Sequence, residues 1–432
     1  MASRAPSNRS APSLGSKSET PDATWALRFD TVARTHGWTW PVISAGIGGV
    51  GVTVLAAVHR MIDLGTYLLG GTHAFRADLY HVVYEPTHLG FTYPPFAAIL
   101  FAPLSHLPVR LDQILFSWLS LITLFGVIAV SIRVTCPGVS RRGVVWWALL
   151  LVTPIGLLDP VRETLLLGQV NIVLALAVIA DMTLIRPGRR GYLVGLAAAI
   201  KLTPLILIPY LLFTRQRGTW QRALATFVGA GALSAVVAPR ASWTYWTHDV
   251  WKPNSAGWLP WIGNQGVVGV VERILKHGIS APSTFVLIIA VASVGLWIAV
   301  RAYRVSSPLL GLLVIEATES IASPVSWAHH FIWVVLLIAW LALASDRPRR
   351  GEWWAALVAV VFWAAPIWWV PHGPSVRYAG LGWSIPLADS FFIILVAVLL
   401  ATEIRLIRSR GRQRRSSAHE SASDLEDRPV ET

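Results

Sequence analysis

Cysteine is almost absent from this chain. The single thiol, Cys136, excludes an intrachain disulfide and any cysteine-rich metal centre, and it leaves the redox surroundings open. Charge is scarce as well: 14% of the 432 residues are charged against 54% hydrophobic, with a mean hydropathy of +0.56. Such a chain is too apolar for a soluble globule and too long for one or two anchors, which leaves a polytopic membrane protein. Its apolar runs lack a strict apolar–polar alternation and carry Gly, Pro and Trp instead, which argues for helices and against a lipid-exposed barrel. Acidic residues number 23 against 36 Lys and Arg, a net charge of +13. Because the arginines cluster in short loops between apolar runs, the excess reports membrane orientation and does not call for nucleic acid. No short-period repeat, no separate soluble domain and no cleavable signal peptide is evident.

What remains reads as an all-α, polytopic transmembrane helix bundle. Residues 1–40 form a polar, disordered cytoplasmic tail and lead-in, 41–407 the transmembrane domain, and 408–432 a disordered cytoplasmic tail. Placing each Arg cluster in the cytoplasm gives about ten to twelve crossings with both termini inside. Two runs are irregular. YPPFAAILFAPLSHLP is too short to cross comfortably, and Gly191–Phe213 has Arg on both sides, which predicts a break at Lys201–Pro204. Arg240–Ser280 is expected to be a long outer loop, and its tryptophans serve either as interfacial anchors or as sugar-stacking surfaces.

With that orientation, unusual polar residues gather at one face. Asp63 follows the first apolar run, in MIDLGTY, and is the candidate catalytic base. Glu163, Asn264, Gln265, Glu319, His329 and His330 fall near the same face, whereas an ion pathway would string such groups through the bilayer depth. Lys201 lies roughly 15 Å along a helix from Arg189 and Arg190, too deep for easy snorkelling, so it needs an anionic partner. That partner is either a donor phosphate or an internal carboxylate such as Glu316 or Glu319. Ser323 and Pro324 read as the N-cap and first residue of a helix carrying Trp327, His329 and His330, whose free amides would seat a phosphate. Adjacent histidines point in different directions on a helix, so one of the two is expected to face the site, and no metal is expected. Tyr93, Glu163, Gln169, Asn171, Asn264, Gln265, Glu319 and Trp327 complete the candidate substrate-binding set.

Together MIDLGTY, FTYPPFAAILFAPL, LLLGQVNIVL, GLAAAIKLTPLILIPYLL, GNQ and SPVSWAHH resemble the polyprenol-phosphate-sugar-dependent glycosyltransferases of the glycosyltransferase C superfamily, and within it the bacterial α-1,2-mannosyltransferase branch. The resemblance covers about residues 41–345. It implies a polyprenyl-phosphate-mannose donor, a phosphatidylinositol mannoside acceptor, inversion at the anomeric carbon, no cofactor, and action at the outer side of the plasma membrane among membrane lipids. It also implies that the acid of the first outer loop, here Asp63, is catalytic, and that His329 or His330 assists. The chemistry is consistent: a polyprenyl phosphate leaves without a proton, so one base suffices where a glycosidase needs two carboxyl groups. Arabinofuranosyl transfer, branching of a larger lipoglycan, a lipid flippase and an inactive assembly partner are the alternatives.

Overall fold

The computed structural model describes residues 23–426 apart from 253–257, 345–347, 374–375, 377 and 379–381. It is nearly all helix, as expected where lipid offers no partner to backbone N–H and C=O groups. In chain order the described α-helices are α1 (Ala23–Thr35), α2 (Thr39–Val58), α3 (Ile62–Thr72), α4 (Pro95–Phe101), α5 (Val109–Thr135), α6 (Arg141–Gly156), α7 (Asp159–Leu167), α8 (Asn171–Thr183), α9 (Tyr192–Ile200), α10 (Leu207–Phe213), α11 (Arg217–Val237) and α12 (Pro239–Thr247). They continue as α13 (Val267–Leu275), α14 (Ala281–Val305), α15 (Pro308–Ala322), α16 (Val334–Leu343), α17 (Pro348–Ala364), α18 (Ile385–Ala388) and α19 (Ser390–Glu426). Between α3 and α4 a small antiparallel hairpin pairs Val83 with Gly90 and Tyr84 with Leu89.

Four described helices, α2, α5, α14 and the first part of α19, are long and apolar enough to cross a membrane alone, and α6 with α7 makes a fifth that bends by 77°. The other apolar runs fold into shorter pieces, because prolines interrupt them: Pro95 opens α4, Pro160 opens α7, and Pro204 follows α9. The helix α5 lies at the centre and packs against α2, α6, α8 and α16. By contrast α2 turns Val42, Ile47, Val50, Val54 and Val58 outward, a stripe that only lipid would cover.

Four expectations are corrected. The lead-in is partly ordered: in α1, Phe29 packs on Trp147 with ring centroids 4.7 Å apart, and Asp30 accepts from the Ser140 hydroxyl at 2.7 Å. Two aromatic residues within an otherwise polar stretch are enough to dock it. At the other end α19 continues past Ile407 to Glu426; the added stretch is rich in Arg and Ser and has no proline, so nothing in it blocks a helix that is already nucleated. The outer loop contains α12 and α13. Finally, Ser323 does not open a helix. It ends α15, and its hydroxyl bonds to the Val325 carbonyl; only a single turn, Ala328–His330, forms before α16. The anion seat expected from that helix N-terminus is therefore absent. The disorder expected for residues 1–22 and 427–432 falls outside the described residues.

Candidate active site

Two chain segments meet around the carboxylate, and three more supply Tyr93, Lys201 and the histidine turn. Helix α3 begins just after Met61, so Asp63 stands in its first turn and Tyr67, four residues on, shares its face. Opposite, α7 ends at Gly168 with φ 70°. A Cβ at Gly168 would lie 2.7 Å from Leu64 Cβ and 2.9 Å from Met61 Cβ, so glycine is needed both for the left-handed turn and for the close approach. The reversal at Gly168 delivers Gln169 to the carboxylate and Asn171 to Lys201.

Gln169 Nε2 donates to Asp63 Oδ2 at 2.7 Å. Its carbonyl oxygen accepts from the hydroxyls of Tyr67 and Tyr93, which are themselves 2.8 Å apart. Every group thereby fixes its neighbour: the tyrosines set which end of the amide faces the acid. Asp63 sits outside the membrane-spanning helices, and burial, opposed by the Gln169 hydrogen bond and the charge of Lys201, raises its pKa from 3.8 to about 6.

Lys201 follows α9 with extended backbone angles, φ −141° and ψ 129°, at the break that Pro204 imposes. Its Nζ donates to Asn171 Oδ1 at 2.8 Å and lies 3.0 Å from His330 Nε2 and 5.6 Å from the Tyr93 ring centre. A lysine ammonium has only donors, so Nε2 must accept and the proton of a neutral His330 is on Nδ1. Burial, with the charge of Lys201, holds His330 well below the usual histidine range. Asn171 Nδ2 and the Thr164 hydroxyl both donate to the His329 carbonyl, at 2.9 and 3.2 Å, and this clamps the histidine turn onto α7 and α8. His329 Nε2 is buried without a partner.

Burial sorts these residues into two layers. Tyr67, Gln169, Asn171, Thr164 and His329 are buried behind, while Asp63, Tyr93, Lys201 and His330 are only half-buried and form the front. Glu319 on α15 interacts electrostatically with Lys201, and Glu163 on α7 with Asp63; both are half-buried. Glu316 lies one helical turn from Glu319 and is buried. Asn264 and Gln265 are not brought onto the cluster. Asn264 donates to the carbonyls of Leu259 and Pro324 and accepts from the amides of Gly266 and Ser326. Gln265 donates to the carbonyls of Ile262 and Ala388 and accepts from the Phe392 amide. Both are fully buried, so they fasten this turn to the stretches around Ser326 and Ala388. Trp327 packs edge-on against Trp261 at 5.3 Å. Among the described residues, no three His, Cys, Asp or Glu side chains are grouped as metal ligands.

Tyr67 and Thr164 are the residues that sequence reasoning missed. Tyr67 carries a signal, being one turn from Asp63. Thr164 carries none, because its partner is 165 residues away.

The helical bundle and a half-buried acid facing a half-buried cation together define the chain as a membrane-embedded enzyme. It belongs to glycosyltransferase family 87, whose sequence model matches residues 91–324. A polyprenol-phosphate-mannose-dependent alpha-(1-2)-phosphatidylinositol mannoside mannosyltransferase of Mycolicibacterium smegmatis is 33% identical over 347 residues, covering 73% of this chain and 77% of the relative. A polyprenol-phosphate-mannose-dependent alpha-(1-2)-phosphatidylinositol pentamannoside mannosyltransferase of Mycobacterium tuberculosis is 30% identical over 367 residues, 82% of this chain and 84% of the relative. No solved structure matches the chain.

Proposed function

We propose that this glycosyltransferase moves mannose from polyprenyl-phosphate-mannose to a phosphatidylinositol mannoside, forming an α-1,2 linkage at the outer face of the plasma membrane. The observation that carries the reading is the front layer of the site: one general base, Asp63, opposite one cation, Lys201, with a neutral His330 beside it, and among the described residues no acid hydrogen-bonded or ion-paired to Lys201 or Asp63. A transferase whose leaving group is already a phosphate calls for that division of labour. The names of the relatives supply the donor and acceptor classes.

In the proposed reaction Asp63 takes the proton of an acceptor hydroxyl as its oxygen attacks the anomeric carbon from the side opposite the phosphate. The bond from that carbon to the phosphate oxygen breaks, and its electron pair departs with the polyprenyl phosphate. Lys201 donates to the departing oxygens, so negative charge develops beside a fixed cation that needs no rearrangement. His330 completes the donor set through its Nδ1–H. Attack from the opposite face inverts the configuration, from a β-linked donor to an α-mannoside. The outer-face location is supported by the arginine clusters, Arg141–Arg142 and Arg186–Arg190, which fall at the other ends of the helices that lead to the site.

The test is reconstitution of the purified chain in vesicles with radiolabelled polyprenyl-phosphate-mannose and a phosphatidylinositol mannoside, followed by digestion of the product with an α-1,2-specific exomannosidase. Release of the label supports the proposal. A labelled product that resists this enzyme removes the linkage, and transfer only from an arabinofuranosyl donor removes the sugar.

A further inference from the structure

A cleft of about 450 Å³ lies away from the site between α5, α8, α10 and the start of α15. Its position follows from two helices. Ser117 of α5 touches Met61, whereas Arg133 lines the cleft, about 24 Å further along at 1.5 Å per residue. Likewise Asn171 opens α8 at the site and Thr183 closes it at the cleft. The cleft therefore belongs to the arginine-rich face of the bundle, opposite the carboxylate.

Its lining is built for an anion. Arg133 and Arg190 are the charged residues there, with no acid among the lining side chains. Within the described residues Arg133 uses only Nη1, on the carbonyls of Pro137 and Val139, and Arg190 only Nε, on that of Ile185. The remaining guanidinium donors are free. The 15-residue helix α15 starts at the cleft, with Ser307 as N-cap, and its positive end faces inward. Independently, Tyr210 is among the residues lining the cleft, and its wholly buried hydroxyl has no hydrogen-bond partner among the described residues. A Cβ on Gly311, in the first turn of α15, would lie 2.6 Å from that oxygen, so the hydroxyl stands beside the helix start. A buried hydroxyl without a partner costs about 1–3 kcal/mol, and a bound phosphate oxygen would accept from it. Val134, Met182, Leu184 and Leu312 form an apolar wall beside the polar groups. Leu184 is about half exposed, so the wall extends toward the lipid.

We propose that this cleft is a binding site for a phosphate group at the inner face, carried by an anionic lipid whose glycerol and first methylenes lie along the apolar wall. It is separate from the transfer site and does not depend on the identity of donor or acceptor. The volume is that of a small-ligand pocket and suits a headgroup, not a whole lipid.

Native mass spectrometry of the full chain, purified in detergent and mixed with phosphatidylglycerol or phosphatidylcholine, tests it alongside thermal unfolding in millimolar inorganic phosphate. Tyr210→Phe removes only a hydroxyl that makes no bond in the fold, so it should unfold no earlier than wild type; Arg190→Gln is the second variant. The expected result is one phosphatidylglycerol adduct on wild type, at least fivefold weaker in either variant, and no matching phosphatidylcholine adduct. Phosphate-dependent stabilisation of wild type alone, without a lipid adduct, supports the anion site and assigns it to free phosphate. Equal adducts on wild type and both variants, equal binding of the two lipids, or no response to either probe overturns the proposal.

Discussion

Gln169 Nε2 and Asp63 Oδ2 are 2.7 Å apart although the two residues are 106 positions apart in the chain. The amide is itself held by two tyrosine hydroxyls, so the carboxylate is oriented without being neutralised by a salt bridge. A base kept this way remains basic and stays in place.

Asp63→Asn preserves the Gln169 hydrogen bond, since the asparagine carbonyl can accept it, but cannot take a proton. Transfer should fall by about 10²–10⁴-fold, the usual range for a general base, with donor binding and unfolding temperature retained. Near-normal turnover of the purified Asn variant would assign the base elsewhere.

The raised pKa of Asp63, about 6, sets a pH profile. Below about 6 the base is protonated, so kcat/KM with the natural acceptor should drop about tenfold per pH unit, and the profile should be flat just above it. Stability runs the other way. Folding favours the protonated form of a group whose pKa rises, so the penalty from Asp63 is absent at low pH and grows as pH rises through 6. The Asn variant should lose both the acid limb and this component of the stability profile.

Replacing Lys201 by Met removes the fixed cation beside the departing phosphate. A charged hydrogen bond is worth about 1.5–3 kcal/mol, so kcat/KM for the polyprenyl phosphate donor should fall roughly 10- to 100-fold. Initial rates at varied donor and varied acceptor separate the roles; a larger change in acceptor KM than in donor KM contradicts the assignment.

Gly168→Ala places a methyl group against Leu64 and Met61 and forces a left-handed turn on alanine. Strain of this kind costs about 1–3 kcal/mol, and the turn it disturbs is the one that presents Gln169. Thermal unfolding should shift down, and activity should fall further than the lost stability accounts for. An unchanged rate would show that the Gln169 contact is dispensable.

Arg273 is fully buried and donates from Nε and Nη2 to Asp389, and from Nη1 to the Trp261 carbonyl. Asp389→Asn leaves that guanidinium without its counter-charge, which should cost about 3–5 kcal/mol. The loss is read in the unfolding temperature of the detergent-solubilised chain.

The sequence made much of this legible, and for identifiable reasons. Apolar run lengths and arginine loops report helices and orientation directly, and a lysine or an acid in an apolar context is conspicuous. The break at Lys201 was visible because Pro204 follows it. Contacts such as Thr164 with the His329 carbonyl were invisible, since a side chain bonding to distant backbone leaves no pattern in spacing. The SPVSWAHH segment misled because Ser–Pro is ambiguous: the pair begins helices, yet here it ends one, and the amide of Gln265 and the carbonyl of Ser326 instead draw the strand-like backbone to the GNQ turn. Asn264 and Gln265 looked like ligand contacts because buried amides do either job, and only a complete partner list separates the two.

That pair of amides has a further consequence. A segment bound to two other stretches by four of these contacts, at Pro324, Ser326, Ala388 and Phe392, and braced by three more within its own turn, leaves little room for substitution. Freedom to vary is left to neighbours such as Trp243 and Trp251, 71% and 61% exposed, which can be exchanged without loosening the frame.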